Sequence, residues 1–165
     1  MPILDPHSME FFSRSAEQTR RVGMRLGGLL KIGDVVGLIG ELGSGKTTLV
    51  QGMAAGWGSL DPVSSPTYVL VNVYRQLDGK RLYHLDAYRL GSALEAIDLD
   101  LDFMLATGPL VVEWAERVQE ALPDEGLKVT LAYIDDVRRN LTFSAQGRRF
   151  EMMLKALRQQ LWSKT

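Results

Sequence analysis

Cysteine is absent from the 165 residues, which excludes disulfides, thiolate catalysis and thiolate metal sites and fits a reducing compartment. No apolar run approaches the roughly 18 residues of a membrane span. The opening MPILDPHSME lacks a basic start followed by an apolar stretch, so a cytoplasmic protein is expected. An excess of one charge is missing as well. The 19 basic and 20 acidic residues leave a formal net charge of −1, so no global positive field holds nucleic acid by counterion release. Any RNA contact is expected to be borrowed from a partner. There is no internal repeat and no low-complexity segment, and only the first dozen and last few residues read as loose ends. What remains, 45% hydrophobic and 24% charged, is the composition of one globular domain spanning residues 1–165.

Within that ordinary composition, residues 40–48 read GELGSGKTT and satisfy the phosphate-loop pattern GxxxxGK[ST] at Gly40, Gly45, Lys46 and Thr47. The run Val35-Val36-Gly37-Leu38-Ile39 before it has the apolar, partly β-branched character of a buried strand, and Thr47 to Met53 can start a helix. Strand, glycine loop and helix N-terminus thus arrive in the order that a triphosphate requires. Gly40, Gly43 and Gly45 keep the backbone bare so that several N–H groups can converge on one anion. The helix's unpaired N–H groups face the same anion, Lys46 can reach β- and γ-phosphates, and Thr47 offers a hydroxyl to Mg²⁺. The expected nucleotide contacts are Gly43, Ser44, Gly45, Lys46, Thr47 and Thr48.

Elsewhere, Ser15 and Gln18 match a capping box opening a helix whose apolar face carries Val22, Leu26, Leu29 and Leu30, ended by Gly33-Asp34. Breakers from Gly56 to Pro66 mark a surface loop. Tyr68 to Arg75 and Arg81 to Leu85 flank Asp78-Gly79 as a hairpin. A helix is expected over Ser92 to Met104, a short strand over Leu110 to Val112, and a short helix over Ala115 to Leu122 before Pro123. Leu127 to Tyr133 and Asn140 to Ser144 read as a late hairpin, and Phe150 to Trp162 as a closing amphipathic helix. The fold class is α/β: a three-layer phosphate-loop NTPase sandwich with a mixed, mostly parallel central sheet and antiparallel hairpin additions.

Hydrolysis also needs a carboxylate for Mg²⁺ or its water shell at the end of a neighbouring buried strand. Asp86 follows Leu82-Tyr83-His84-Leu85 and Glu113 follows Leu110-Val111-Val112, so both stand where an apolar strand runs out. A lone acid there would read as a cap or turn residue; two beside a phosphate loop read as functional. His84 is read as a scaffold residue hydrogen-bonded to its neighbours, and Trp114, which could stack on a base, by default as a packing residue. Arg89 and the pair Arg138-Arg139 can reach phosphates or pair with surface acids. Thr67, in Ser65-Pro66-Thr67, lies where nucleotide switches place a hydroxyl near the γ-phosphate or Mg²⁺, and is equally compatible with a plain loop threonine.

These pieces together resemble the TsaE (formerly YjeE) family, the small ATPase of bacterial threonylcarbamoyladenosine synthesis on tRNA. The resemblance rests on SAEQT at Ser15 to Thr19, GELGSGKTTLVQG at Gly40 to Gly52, and SPTYVLV at Ser65 to Val71. It continues through HLDAYRL at His84 to Leu90, VEW at Val112 to Trp114 and RRFEM at Arg148 to Met152. It implies that Lys46 and Thr47 bind phosphate and Mg²⁺, that Glu113 is a metal ligand, that Asp86 is needed for hydrolysis, and that Thr67 is the switch threonine. It places Thr19, Glu116 and Arg138 near the nucleotide. Glu41 and Ser44 stand where the family usually has Asp and Ala, and Ile97-Asp98-Leu99 lacks a glycine often found there. The implied function is slow ATP hydrolysis, with Mg²⁺, that resets the TsaB and TsaD subunits as they modify the adenosine next to the anticodon of tRNAs reading ANN codons. Contact with tRNA is then indirect, and the free protein is a monomer or weak oligomer.

A small-molecule kinase uses the same loop but needs an arginine-rich lid, for which only Arg138-Arg139 or Arg148-Arg149 qualify. A GTPase is disfavoured because NKxD and DxxG are missing, and an ABC-type ATPase because LSGGQ is missing. A binding module that uses nucleotide only to order its loops is the non-enzymatic alternative.

Overall fold

The computed structural model describes residues 5–63, 71–88, 90, 95 and 99–162. Its strands are β1 (Ser8–Ser13), β2 (Val35–Ile39), β3 (Val71–Arg75), β4 (Arg81–Asp86), β5 (Leu110–Glu113), β6 (Gly126–Tyr133) and β7 (Arg139–Gln146). Its helices are α1 (Ala16–Gly27), α2 (Lys46–Trp57), α3 (Leu101–Thr107) and α4 (Arg148–Leu161). The seven strands form one sheet in the order β1-β7-β6-β2-β5-β4-β3. The four central strands β6, β2, β5 and β4 pair in parallel, and β3, β7 and β1 close the edges antiparallel. This is the mixed α/β architecture expected of a phosphate-loop NTPase.

The centre is parallel because its strands are apolar on both faces. Val35 to Leu38 and all of Leu110–Glu113 are buried. The pairing Val36↔Val111 and Leu38↔Glu113 then brings the loop after β2 beside the acidic end of β5. On one face, Gly37 leaves room for the chain after β5, since a Cβ there would sit 2.9 Å from that of Ala115.

Helices α1 and α2 cross backbone to backbone. A Cβ on Gly27 would lie 2.0 Å from the Met53 carbonyl oxygen, and one on Gly56 would lie 1.9 Å from that of Met24. Gly23 and Gly52 are equally closed, at 2.4 Å from the Leu49 oxygen and 2.1 Å from the Arg20 oxygen. The N-cap is as the sequence predicts: Ser15 Oγ accepts from Gln18 N at 3.1 Å, and Gln18 Oε1 accepts from Arg14 N. Helix α2 runs past Met53 to Trp57, where Gly58, at φ 102°, ends it.

Several sequence expectations are corrected. The first dozen residues are not all a loose end, because Ser8–Ser13 pairs with β7 from Ser8↔Ser144 to Ser13↔Arg139. An edge strand of mixed polarity gives little periodic signal; its partner and Arg158, which donates to the Asp5 and Ser8 carbonyls, hold it in place. The helix expected over Ser92 to Met104 does not run through, for Asp100 takes a left-handed φ of 58° and α3 starts after it and continues to Thr107. Residues 91–94 and 96–98 lie outside the described residues. Ala115 to Leu122 forms two 3₁₀ turns, Ala115–Arg117 and Gln119–Ala121, broken at Val118 rather than one α-helix. A segment this short gains little from α-helical propagation. Both hairpins are present; Gly79, at φ 88°, makes the turn of the first.

Candidate functional site

The loop between β2 and α2 takes its shape from three glycines. Gly43 and Gly45 have φ of 79° and 102°, and a Cβ on Gly40 would collide with the Leu131 carbonyl oxygen at 2.7 Å. Lys46, only 6% exposed, folds back over the loop. Its Nζ donates to the Gly40 carbonyl, to the Glu41 carbonyl at 2.9 Å and, at 3.4 Å, to Ser44 Oγ. Burial holds the ammonium pKa below its ordinary value, against the opposing pull of Glu113, Glu116, Asp86 and Glu41. The ammonium also lies 4.2 Å from the centroid of the Trp114 ring.

A cleft of about 340 Å³ opens above this loop, and its walls join the residues from Leu42 to Thr48 with Asp86, Tyr88, Glu113, Trp114 and Arg139. The sheet explains the meeting. Asp86 and Glu113 are register partners at the carboxyl ends of adjacent parallel strands, the end at which ligands bind in open α/β sheets. Glu113 is buried, and its Oε2 lies 2.6 Å from His84 Nε2. Asp86 is half-buried, with Oδ1 accepting from Tyr88 N at 3.0 Å. Directly after Glu113 the backbone turns at Trp114 with φ 59°, a conformation that costs a non-glycine residue about 1–3 kcal/mol. That turn brings the indole over Lys46 and against Tyr88, with ring centroids 5.0 Å apart. Trp114 packs against the core as expected and also forms a wall of the cleft.

Among the described residues no group of three or more His, Asp or Glu side chains can enclose a metal ion. Mg²⁺ asks for no such cluster, since it takes one or two carboxylates and fills its shell with phosphate oxygens and water, and the hydroxyl of Thr47 and the carboxylate of Glu113, both on the cleft wall, are a donor set that would suit it.

The remaining expected residues are scattered. Ser44, Gly45, Thr47 and Thr48 line the cleft with Gly43. Thr19 is buried in the first turns of α1, where its hydroxyl lies 2.6 Å from Ser13 Oγ, and it does not line the cleft. Glu116 is exposed on the first 3₁₀ turn, near enough to act on the charge of Lys46. Arg138 turns to Asp135, at 2.5 Å, on the surface of the β6–β7 turn. It is the adjacent Arg139 that enters the cleft, donating to the Gly43 carbonyl at 2.9 Å and to the Asp135 and Arg138 carbonyls. Its Nε is buried with no partner among the described residues. The strand alternation carried this signal: Arg139 has the parity of Leu141 and Phe143, both buried, whereas Arg138 belongs to the turn. Thr67 and Arg89 lie outside the described residues.

A family model described as "Threonylcarbamoyl adenosine biosynthesis protein TsaE" matches residues 13–141. The chain belongs to the TsaE family. That family takes part in tRNA threonylcarbamoyladenosine biosynthesis. The TsaE of Bacillus subtilis is 38% identical over 142 residues, covering 86% of this chain and 88% of its own length. That of Streptomyces coelicolor is 44% identical over 137 residues, 79% and 93% of the two chains. The crystal structure of YdiB from Bacillus subtilis superposes with a TM-score of 0.77 at 31% identity, over 97% of this chain and 99% of that one. The TsaE match takes in the phosphate loop, both strand-end acids and Arg139; the whole of α4, the end of β7 and most of β1 lie outside it.

Proposed function

We propose that this TsaE protein binds ATP with Mg²⁺ and hydrolyses it slowly, and that hydrolysis cycles a TsaB–TsaD complex whose own site carries the threonylcarbamoyl group to tRNA. The observation that carries this reading is the meeting of Lys46, Thr47, Asp86 and Glu113 in one cleft at the carboxyl edge of the parallel strands. Lys46 exchanges the Gly40 and Glu41 carbonyls for β- and γ-phosphate oxygens, while the N–H groups of Gly43 to Thr48 receive the remaining charge. Thr47 Oγ1 and Glu113 would hold Mg²⁺, which would supply positive charge to the phosphoryl group being transferred. Asp86 orients the attacking water and receives its proton as the water oxygen bonds the γ-phosphorus and the bond to the β-phosphate oxygen breaks, releasing ADP and phosphate. Thr67 supplies the switch hydroxyl. The net charge of −1 fits a protein that meets tRNA only through the complex.

Among the described residues, two of the four arginines that could form a kinase lid are held by acids, while Arg139 is tied to loop carbonyls. Arg149 is engaged by Asp34 at 2.7 and 3.0 Å and by the Leu29 carbonyl, and Arg138 by Asp135. Incubation with γ-labelled ATP, a metabolite pool and purified TsaB and TsaD decides the matter. Free phosphate that rises with the two subunits is expected; a labelled metabolite would instead make the protein a kinase.

A further inference from the structure

Beneath Glu113 lies a buried polar chain that no step above uses. Tyr74 on β3, His84 on β4 and Glu113 on β5 stand on three adjacent strands, exposed by 3%, 1% and 5%. Tyr74 Oη lies 2.8 Å from His84 Nδ1, and His84 Nε2 lies 2.6 Å from Glu113 Oε2. The register explains the alignment: Tyr74 pairs with Leu82, two residues from His84 and so on the same face, and His84 pairs with Val111, two residues from Glu113.

Donor accounting orients the chain. A phenol has one proton, and among the described residues its only acceptor here is His84 Nδ1. Burial and the charge of Glu113 push the Tyr74 phenol up to about 12, so that proton stays in place. With Nδ1 accepting, Nε2 carries a proton and donates it to the carboxylate. Among the described residues Oε1 of Glu113 has no such tether, and Glu113 lines the cleft.

We propose that Tyr74 and His84 are positioning residues that lock the Glu113 carboxylate by Oε2, so that Oε1 alone is offered to Mg²⁺ in the cleft. A metal-binding side chain left free to rotate must be ordered at each binding event; one fixed from behind is not, and removing such outer partners commonly lowers metal affinity or activity by about 10–100-fold. The inference rests on Glu113 being a Mg²⁺ ligand, but the state of the His84 ring is a property of the free protein and can be tested without metal or nucleotide.

Two measurements test it. Nitrogen-15 NMR of the histidine-labelled free protein has only His7 and His84 to resolve. A proton on His84 Nε2 and none on Nδ1 is expected, with the Nδ1 signal losing its hydrogen-bond shift in Tyr74→Phe; a proton found on Nδ1 overturns the proposal. In the second, binding of a fluorescent ADP is followed in EDTA and across a Mg²⁺ titration for wild type, Tyr74→Phe, His84→Leu and His84→Gln. The variants should bind nucleotide equally in EDTA, while the Mg²⁺ concentration at half effect rises about tenfold in Tyr74→Phe and further in His84→Leu. His84→Gln, whose amide can still donate to Oε2, should recover much of the loss. Melting temperatures identify any variant that fails to fold, and Tyr74→Phe removes only one oxygen. A wild-type Mg²⁺ response retained by both folded Tyr74→Phe and His84→Leu overturns the proposal. Absence of any Mg²⁺ effect in the wild type counts against Glu113 as a ligand, and with it against the proposal, even where the tautomer is as assigned.

Discussion

At the residue scale, Lys46 is the side chain on which the site turns. In the free protein its ammonium is satisfied by loop carbonyls, so Lys46→Ala removes a charge without leaving a cavity in the main core. A hydrogen bond from a charged donor contributes about 1.5–3 kcal/mol. Isothermal titration should therefore find ATP affinity lowered on the order of 10- to 100-fold; unaltered binding would contradict the site. Asp86 differs, being half-buried and, among the described residues, accepting a hydrogen bond from the Tyr88 amide alone. Asp86→Ala should leave affinity within a few fold and reduce single-turnover hydrolysis by about 10²–10⁴. Lost binding with retained turnover would reverse the roles. The acids were legible in the sequence because strand ends beside a phosphate loop are few. The assignment of Arg138 over Arg139 was not, since one residue of register decides which arginine leaves the turn and joins the strand. For Trp114 the packing role was legible, but its place in the cleft wall was not, because a left-handed φ at a non-glycine residue leaves no local pattern.

At the scale of elements, the phosphate helix is positioned by its neighbour more than by its own sequence. Gly27 has an ordinary helical backbone, and Ala there would favour an isolated helix. Against the Met53 carbonyl the added methyl has no room, and backbone cannot step aside as a side chain can. Gly27→Ala should thus lose about 2 kcal/mol or more in urea unfolding, whereas Gly28→Ala, with 3.6 Å to its nearest neighbour, should lose little. Equal midpoints for the two would refute the close crossing. Elements with strong internal patterns, β2, β5, the late hairpin and α4, were readable in advance. Those decided by tertiary partners were not: β1 forms on the edge of β7, and the 3₁₀ turns after Trp114 follow the path over Gly37 rather than helix propensity.

On the scale of the whole molecule, balanced charge makes a specific prediction. At 0.15 M salt the isolated chain should bind tRNA no more tightly than non-specific contacts allow, roughly 10⁻⁴ M or weaker for a chain with no excess of positive charge. Addition of TsaB and TsaD should bring tRNA into the assembly, as filter binding with each subunit omitted would reveal. Tight binding by the chain alone would oblige a search for a basic surface that its composition does not advertise.

The glycine crossing also constrains how this architecture can respond to a ligand. With no side-chain cushion between α1 and α2, the helix that begins at Lys46 cannot slide without dragging α1, and the Ser13–Thr19 bond fastens α1 to the outermost strand. Floor, first helix and far rim form one stiff plate. A shape change on ligand binding is then left to the opposite wall, around Tyr88 and Trp114.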